Sequence, residues 1–300
     1  INGIGDREFA VDSKTTLNVE IRYANNLSSG VDDVVIEANI SGNAWNRTGV
    51  RSTQGHYDSS KNQITWDSSS KGGLAEISPG DSGSVNFSID PLSLLSSSGD
   101  MLADPTINLE VNVFGRQAAE DSSVNALKNS ASAVVRVISD LSFSAKALHF
   151  SGAFKNTGPI PPKAEGETTY TIVWTLSNTA NSISQAKLFS SLPAWLTFVG
   201  PVSPAGEDLS FNAATKEIMW NIGRIARGTG ISAASRSVSF QVSLKPSLSQ
   251  VGTVPALING SVLTGRDDFA KVNIRTTKGE LSARLDSDPT FPPTGGTVVE

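Results

Sequence analysis

Two histidines, His56 and His149, are the only imidazoles in a chain of 300 residues. Acid–base or nucleophilic catalysis needs such a group beside a serine, cysteine or carboxylate that it can activate. Neither histidine stands in a hydrolase-like pattern, and the Gly-x-Ser-x-Gly turn that presents a serine nucleophile is missing from the sequence. Gly228-Thr229-Gly230, followed by Ala233, imitates a dinucleotide fingerprint. That fingerprint works at a helix N-terminus, whereas strand-like residues Arg236 to Val242 follow here, so the segment reads as a turn. The acidic pairs Asp32-Asp33, Asp267-Asp268 and Asp286/Asp288 offer oxygens to calcium, which takes about six to eight of them. The last pair lacks the glycine and distal glutamate of a helix–loop–helix site, and solvated loop carboxylates account for all three. No catalytic residue, cofactor or metal site is assigned, and no enzyme activity is expected.

Carbohydrate recognition would use exposed aromatic platforms. Trp45 and Trp195 fall outside clean alternation and are the candidates, with core or edge packing as the competing reading for each. Asn26, Asn39, Asn46, Asn86 and Asn259 lie in Asn-x-Ser/Thr sequons, which a serine-rich chain also produces by chance.

The elements that must carry these residues are strands. Tyr170, Ile172, Trp174 and Leu176 alternate with Thr171, Thr175 and Ser177, and Leu17, Val19, Ile21 and Tyr23 alternate with Asn18, Glu20 and Arg22. A period of two puts successive side chains on opposite faces of a sheet. Val34, Ile36, Ala38 and Ile40, matched later by Ala186, Leu188, Ser190 and Leu192, give a second strand in each half. Further strands are expected at Ile64–Trp66, Val85–Ile89, Ile107–Val113 and Ala133–Ile138, making about seven per half, the number of a sandwich. Helix or a helical turn is admitted only at Pro91–Ser98 and Asp121–Ser130, both rich in Ser or Asn. Trp66 and Trp220 are expected in the core.

These landmarks recur in order at an offset of about 150 residues, too long for a stacking repeat of about 20 to 50. Two tandem β-sandwich domains, 1–140 and 141–300, are therefore expected, the second opening with a Pro/Gly-rich lead through Gly152, Gly158, Pro159, Pro161 and Pro162. Leu281-Ser282-Ala283 ahead of Pro292 looks like a further entry segment, and Ile1-Asn2-Gly3 like the tail of one cut short. The chain opens on Ile1 rather than Met, which suggests an excised part of something longer, with any membrane anchor upstream. Cysteine is absent, so packing and sheet hydrogen bonds must hold the domains. No apolar run approaches the roughly 18 residues of a membrane span. Residues 1–140 carry 18 acidic and 10 basic side chains, residues 141–300 carry 11 and 14, and the net charge of −5 argues against nucleic acid.

Thr169-Tyr170-Thr171-Ile172, Asn178-Thr179, Leu192-Pro193 with Leu196-Thr197-Phe198-Val199, and Trp220-Asn221-Ile222-Gly223 with Gly228 resemble the immunoglobulin-like repeat of unknown function in bacterial cell-surface proteins. The tandem, with Gln250-Val251-Gly252 and Asp288-Pro289, is similar to membrane-anchored surface proteins of small-genome uncultured bacteria. The resemblance implies an extracellular, cell-surface β-sandwich with no catalytic residues to carry over. Ala180 and Trp195 depart from it, each standing where a glycine is common.

The expected role is a non-enzymatic structural module of the bacterial envelope, a stalk or spacer. The alternatives are a self-assembling subunit of a surface layer or filament joined by edge strands, and an adhesin or glycan binder. Expected partners are neighbouring copies or other envelope proteins, with glycan as a further candidate, no nucleic acid, and membrane only through a segment outside this chain. Trp195, Trp45, Leu281 and Val299 are the candidate contacts, the last two because segments 281–285 and 297–299 look free to join a neighbour's sheet.

Overall fold

The structure is a computed structural model that describes residues 1–3, 5–96, 100–118 and 124–300. It forms two compact units, Ile1–Ser139 and Asp140–Glu300.

Unit 1 contains β1 (Glu8–Asp12), β2 (Leu17–Ala24), β3 (Val31–Gly42), β4 (Trp45–Ser52), β5 (His56–Asp58), β6 (Gln63–Trp66), β7 (Glu76–Ile77), β8 (Ser82–Pro91), β9 (Thr106–Ala118) and β10 (Val124–Ile138). One sheet runs β1-β10-β9-β3-β6-β5, with β7 also on β3, and the other runs β2-β8-β4. Leu17, Val19, Phe87 and Ile89 from the second sheet are buried, as are Ile36, Ile64, Trp66 and Leu109 from the first. Trp66 meets Phe87 across the sandwich at 5.8 Å between ring centroids.

Unit 2 contains β11 (Leu141–Leu148), β12 (Thr168–Asn178), β13 (Ile183–Ser191), β14 (Leu196–Ser203), β15 (Leu209–Asn212), β16 (Glu217–Ile225), β17 (Ser237–Leu244), β18 (Ala256–Ile258), β19 (Ser261–Asp267), β20 (Asn273–Lys278) and β21 (Leu281–Ser282). Its sheets are β15-β16-β13-β19-β20 and β11-β12-β17-β14, with β18-β21 as a small pair. Tyr170, Ile172 and Trp174 from one sheet and Leu188, Trp220 and Leu263 from the other share one core cluster. The chain is thus all-β and of the immunoglobulin-like sandwich class. Burying these aliphatic and aromatic faces, at about 25 cal/mol per Å² of apolar surface, is what holds each sandwich together.

The units pair corresponding residues. Leu17↔Ile89, Val19↔Phe87 and Ile21↔Val85 in β2/β8 recur as Tyr170↔Val242, Ile172↔Phe240 and Trp174↔Val238 in β12/β17. Ile36↔Trp66 and Tyr57↔Ile64 recur as Leu188↔Trp220 and Phe211↔Ile218. Even an irregularity is shared: β3 slips register between Asp32 and Val35, β13 between Ser184 and Lys187, with positive φ at Asp33 and Gln185. Opposite each bulge stands a glycine. A Cβ on Gly115 would lie 2.6 Å from Val31 Cγ1, and one on Gly265 2.5 Å from Ile183 Cγ2. The β-branched side chains of Val31 and Ile183 lie over these positions, and any Cβ there would force them aside.

Two expectations change. Residues from Val124 onward are strand, not helix, because β9 supplies a continuous antiparallel partner to Arg136; positions 121–123 lie outside the described residues. Pro91 ends β8 and a loop follows it, with 97–99 outside the described residues. Very short strands such as β7 and β21 raise the number per unit above the seven or so of a minimal sandwich.

Candidate interaction site

The polar residues with chemical potential are occupied in holding loops, and Asp267 and Asp288, expected as solvated loop carboxylates, are buried instead. Asp288 is buried and accepts the backbone N–H groups of His149 (2.6 Å) and Phe150 (2.8 Å) and the Ser151 hydroxyl (3.0 Å). Burial pushes the Asp288 carboxyl up, and these donors outweigh it, leaving the pKa below the ordinary value. Asp267, fully buried, accepts from Asn181 Nδ2 (2.9 Å) and the N–H groups of Phe269 (2.9 Å) and Ala270 (2.8 Å). Among the described residues no group of three or more His, Asp or Glu is arranged to hold a metal. Gly228-Thr229-Gly230 is a turn docked on β12, with Asn178 N–H donating to Thr229 O at 2.9 Å.

A second group of polar residues includes Asn178, which the resemblance already marked, though the residue pattern assigned it no role. Asn25 Nδ2 donates to Ser29 O (2.9 Å) and Ile77 O (2.8 Å), and Asn178 Nδ2 donates to Asn181 O (2.7 Å) and Ala226 O (3.0 Å). Each asparagine clamps the end of its strand to the loop on the other side of the sandwich. Their paired recurrence in the sequence was the available signal. Glu207 is likewise central: it accepts from Arg236 Nε (2.9 Å) and Nη2 (2.8 Å) and from Trp220 Nε1 (2.8 Å). The Arg236 hydrogen bonds, working against burial, hold its carboxyl below the ordinary range.

The four proposed contact residues do not converge. Trp45 is buried at 7% exposure, with the Arg47 guanidinium over its ring, and so presents no platform. Trp195 is 39% exposed, and its Nε1 donates to Ala256 O at 3.0 Å, which fixes the ring's edge and leaves part of it to solvent. Exposed Leu248, Val251 and Val254 lie on the loop just before Ala256. Leu281 is half-buried and pairs with Ile258 in β18/β21. Val299 forms a parallel bridge with Lys163, its N–H donating to Pro162 O (2.9 Å) and its O accepting from Ala164 N–H (2.8 Å). Segments 281–285 and 297–299 are therefore tied into their own unit, the first by β18 and the second by the proline-rich lead, partners that alternation could not show.

The units differ at the edge of one sheet, where Asn2 pairs with Asn18 on the outer side of β2. β12 sits between β11 and β17, but β2 pairs with β8 alone among the described strands. Trp174 and Leu176 are accordingly buried while Ile21 and Tyr23, at the corresponding positions, are half-buried. Beside β2, between it and β10, runs a groove in two stretches of about 550 and 420 Å³, floored by Leu109, Val111 and Val113.

No known protein family matches the chain, and no curated protein matches it. Solved structures similar to it include the C-terminal domain of the antigen I/II-family protein AspA of Streptococcus pyogenes, at 9% identity and TM-score 0.32, covering 92% of this chain and 95% of that one. The full-length major pilin SpaD of Corynebacterium diphtheriae gives 11% identity and TM-score 0.32, over 84% of this chain and 59% of that one. The major pilin subunit BcpA of Bacillus cereus gives 9% and 0.29, over 89% and 69%. These neighbours are bacterial surface-protein and pilin domains, and superpositions this loose leave the fold to rest on the sheets and registers themselves.

Proposed function

We propose that the chain is a non-enzymatic structural module of a bacterial cell-surface protein, a spacer or stalk built from two sandwich domains. One observation carries the reading: the residues with chemical potential, Asp267, Asp288, Glu207 and Asn178, are consumed in clamping the fold. What is left for a partner is shape, edge and length. The motif resemblance of Thr169–Ile172 and Trp220–Gly223 to an extracellular repeat supports the location.

Replacing residues 1–300 in the parent protein by two unrelated sandwiches of equal length tests this. A spacer tolerates the exchange with parent function intact. Loss of function with normal surface display, measured by protease shaving of intact cells, would overturn it in favour of specific recognition.

A further inference from the structure

The buried polar groups are spent on the fold, but the outer face of one sheet in unit 2 is not. Leu188, Trp220 and Leu263 lie in the core, so their neighbours along each strand point outward. The register sets these outward residues in rows across the strands. Met219, Phe189 and Val262 stand side by side on β16, β13 and β19, through Phe189↔Met219 and Phe189↔Val262. Phe189, in the middle of the row, is 38% exposed. Two residues along, Lys187 stands between Asn221 and Thr264, and Thr264 pairs with Arg275. Arg266 of β19, paired with Ser184, and Arg224 of β16, whose Nη2 donates to the Ser182 hydroxyl at 3.3 Å, extend the basic side.

Lys187, Arg224, Arg266 and Arg275 are exposed, and none of them forms an ion pair among the described residues. The carboxylates that border them are engaged elsewhere: Asp208 accepts from Asn221 Nδ2 at 2.9 Å, and Asp268 accepts the Ser184 hydroxyl at 2.6 Å. Unit 1 shows that the sandwich does not require such a face. The row corresponding to Met219, Phe189 and Val262 is Thr65, Glu37 and Asn112, paired in the same way.

We propose that this face of unit 2 binds an acidic polysaccharide, a chain of pyranose rings that carry carboxylates. Pyranose rings present apolar C–H faces, which pack on the Phe189 ring and on the Met219 and Val262 side chains beside it. The row crosses the sheet at about 4.8 Å per strand, close to the length of one such ring, so successive rings meet successive side chains. The basic row runs parallel to it about 7 Å away along the strands, where carboxylates on the ring edges reach it. Arginine forks take a carboxylate through paired N–H bonds, and Lys187 adds a point charge between them. A neutral glycan would leave these cations without counter-charges, and a polyphosphate has no ring faces for the apolar row. The inference goes beyond the spacer reading, and its titration is read on the chain alone, so a negative titration leaves that reading standing.

The probe is a galacturonic acid oligosaccharide titrated into the full chain by calorimetry, with a neutral oligosaccharide of the same length and a polyphosphate as controls. Saturable binding is expected, weakening as salt screens the exposed charges. Both controls should bind at least about tenfold more weakly. Phe189→Ala should weaken uronate binding about tenfold, and the pair Lys187→Glu with Arg275→Glu should abolish it. Trp195→Ala, at the other exposed aromatic of the unit, should leave it unchanged. Urea midpoints of the variants separate loss of the face from loss of folding, and Arg275→Gln, which only removes a charge, should weaken binding with the fold intact. Absence of uronate binding, a control that binds as tightly, or loss through Trp195→Ala while Phe189→Ala is silent would overturn the proposal. So would dimerisation of the chain that Phe189→Ala abolishes, which would make a second copy the occupant.

Discussion

Trp66 and Trp220 occupy the same place in the two units, each fully buried and each opposite its counterpart strand, Ile36 in β3 and Leu188 in β13. Their polar ends are treated differently. Trp220 Nε1 donates to Glu207, which Arg236 grips in turn, with the guanidinium 5.8 Å from the Trp220 ring. Trp66 Nε1 is buried with no hydrogen-bond partner. The shape of the core position is shared while its polar support is not. An indole is retained at this place by volume, and the ion pair is an addition belonging to unit 2.

The sharpest way to break this comparison is truncation. Trp66→Ala and Trp220→Ala should each cost about 3–5 kcal/mol in urea unfolding, because both leave a large cavity. Trp66→Phe and Trp220→Phe then separate volume from polarity: the second should cost about 1 kcal/mol more, having taken a donor from Glu207. Equal costs would show that the Glu207 bond contributes nothing. Next in size come Asn25→Ala and Asn178→Ala, each about 2–3 kcal/mol, since each orphans buried carbonyls. A large loss in one unit only would end the equivalence of the two clamps.

Acid should distinguish the units more gently. The Glu207 pKa is depressed in the folded state, so its contribution is present above the unfolded carboxylate pKa and is lost as pH falls through the folded value. Glu207→Gln should lower stability by about 1 kcal/mol at about pH 7 and flatten the loss on going to about pH 3. An unchanged acid slope would remove Glu207 from the account. The smallest effect belongs to Tyr170→Phe. The Tyr170 hydroxyl is buried without a hydrogen-bond partner, so its removal should change stability by less than about 0.5 kcal/mol or raise it slightly.

Where side chains alternate between core and water, the sequence was enough to read the sheets: Leu17–Tyr23 and Tyr170–Leu176 announce their strands directly. Val124–Ser132 did not, because Asn125, Lys128, Asn129 and Ser130 carry no alternation and are held as strand by backbone bonds to β9. A ladder is blind to side chains. For the same reason, the open and closed edges were illegible. Leu281 and Val299 looked unattached until Ile258 and Lys163 arrived beside them from elsewhere in the chain. Trp45 and Trp195 share the same lack of pattern yet differ in burial, since what covers an aromatic is set by loops distant in sequence.

The parallel pairing of β1 with β10 has a mechanical meaning. β1 stands near the start of unit 1 and β10 closes it, with Glu8–Asp12 aligned on Val134–Ile138. A pull applied to the two ends of the unit runs lengthwise along both strands, so every bond between them is strained simultaneously and none can be peeled open first. An antiparallel pair gripped at its open end would unzip bond by bond under far less tension. A tether exposed to flow or to a tugging neighbour gains from such a brake.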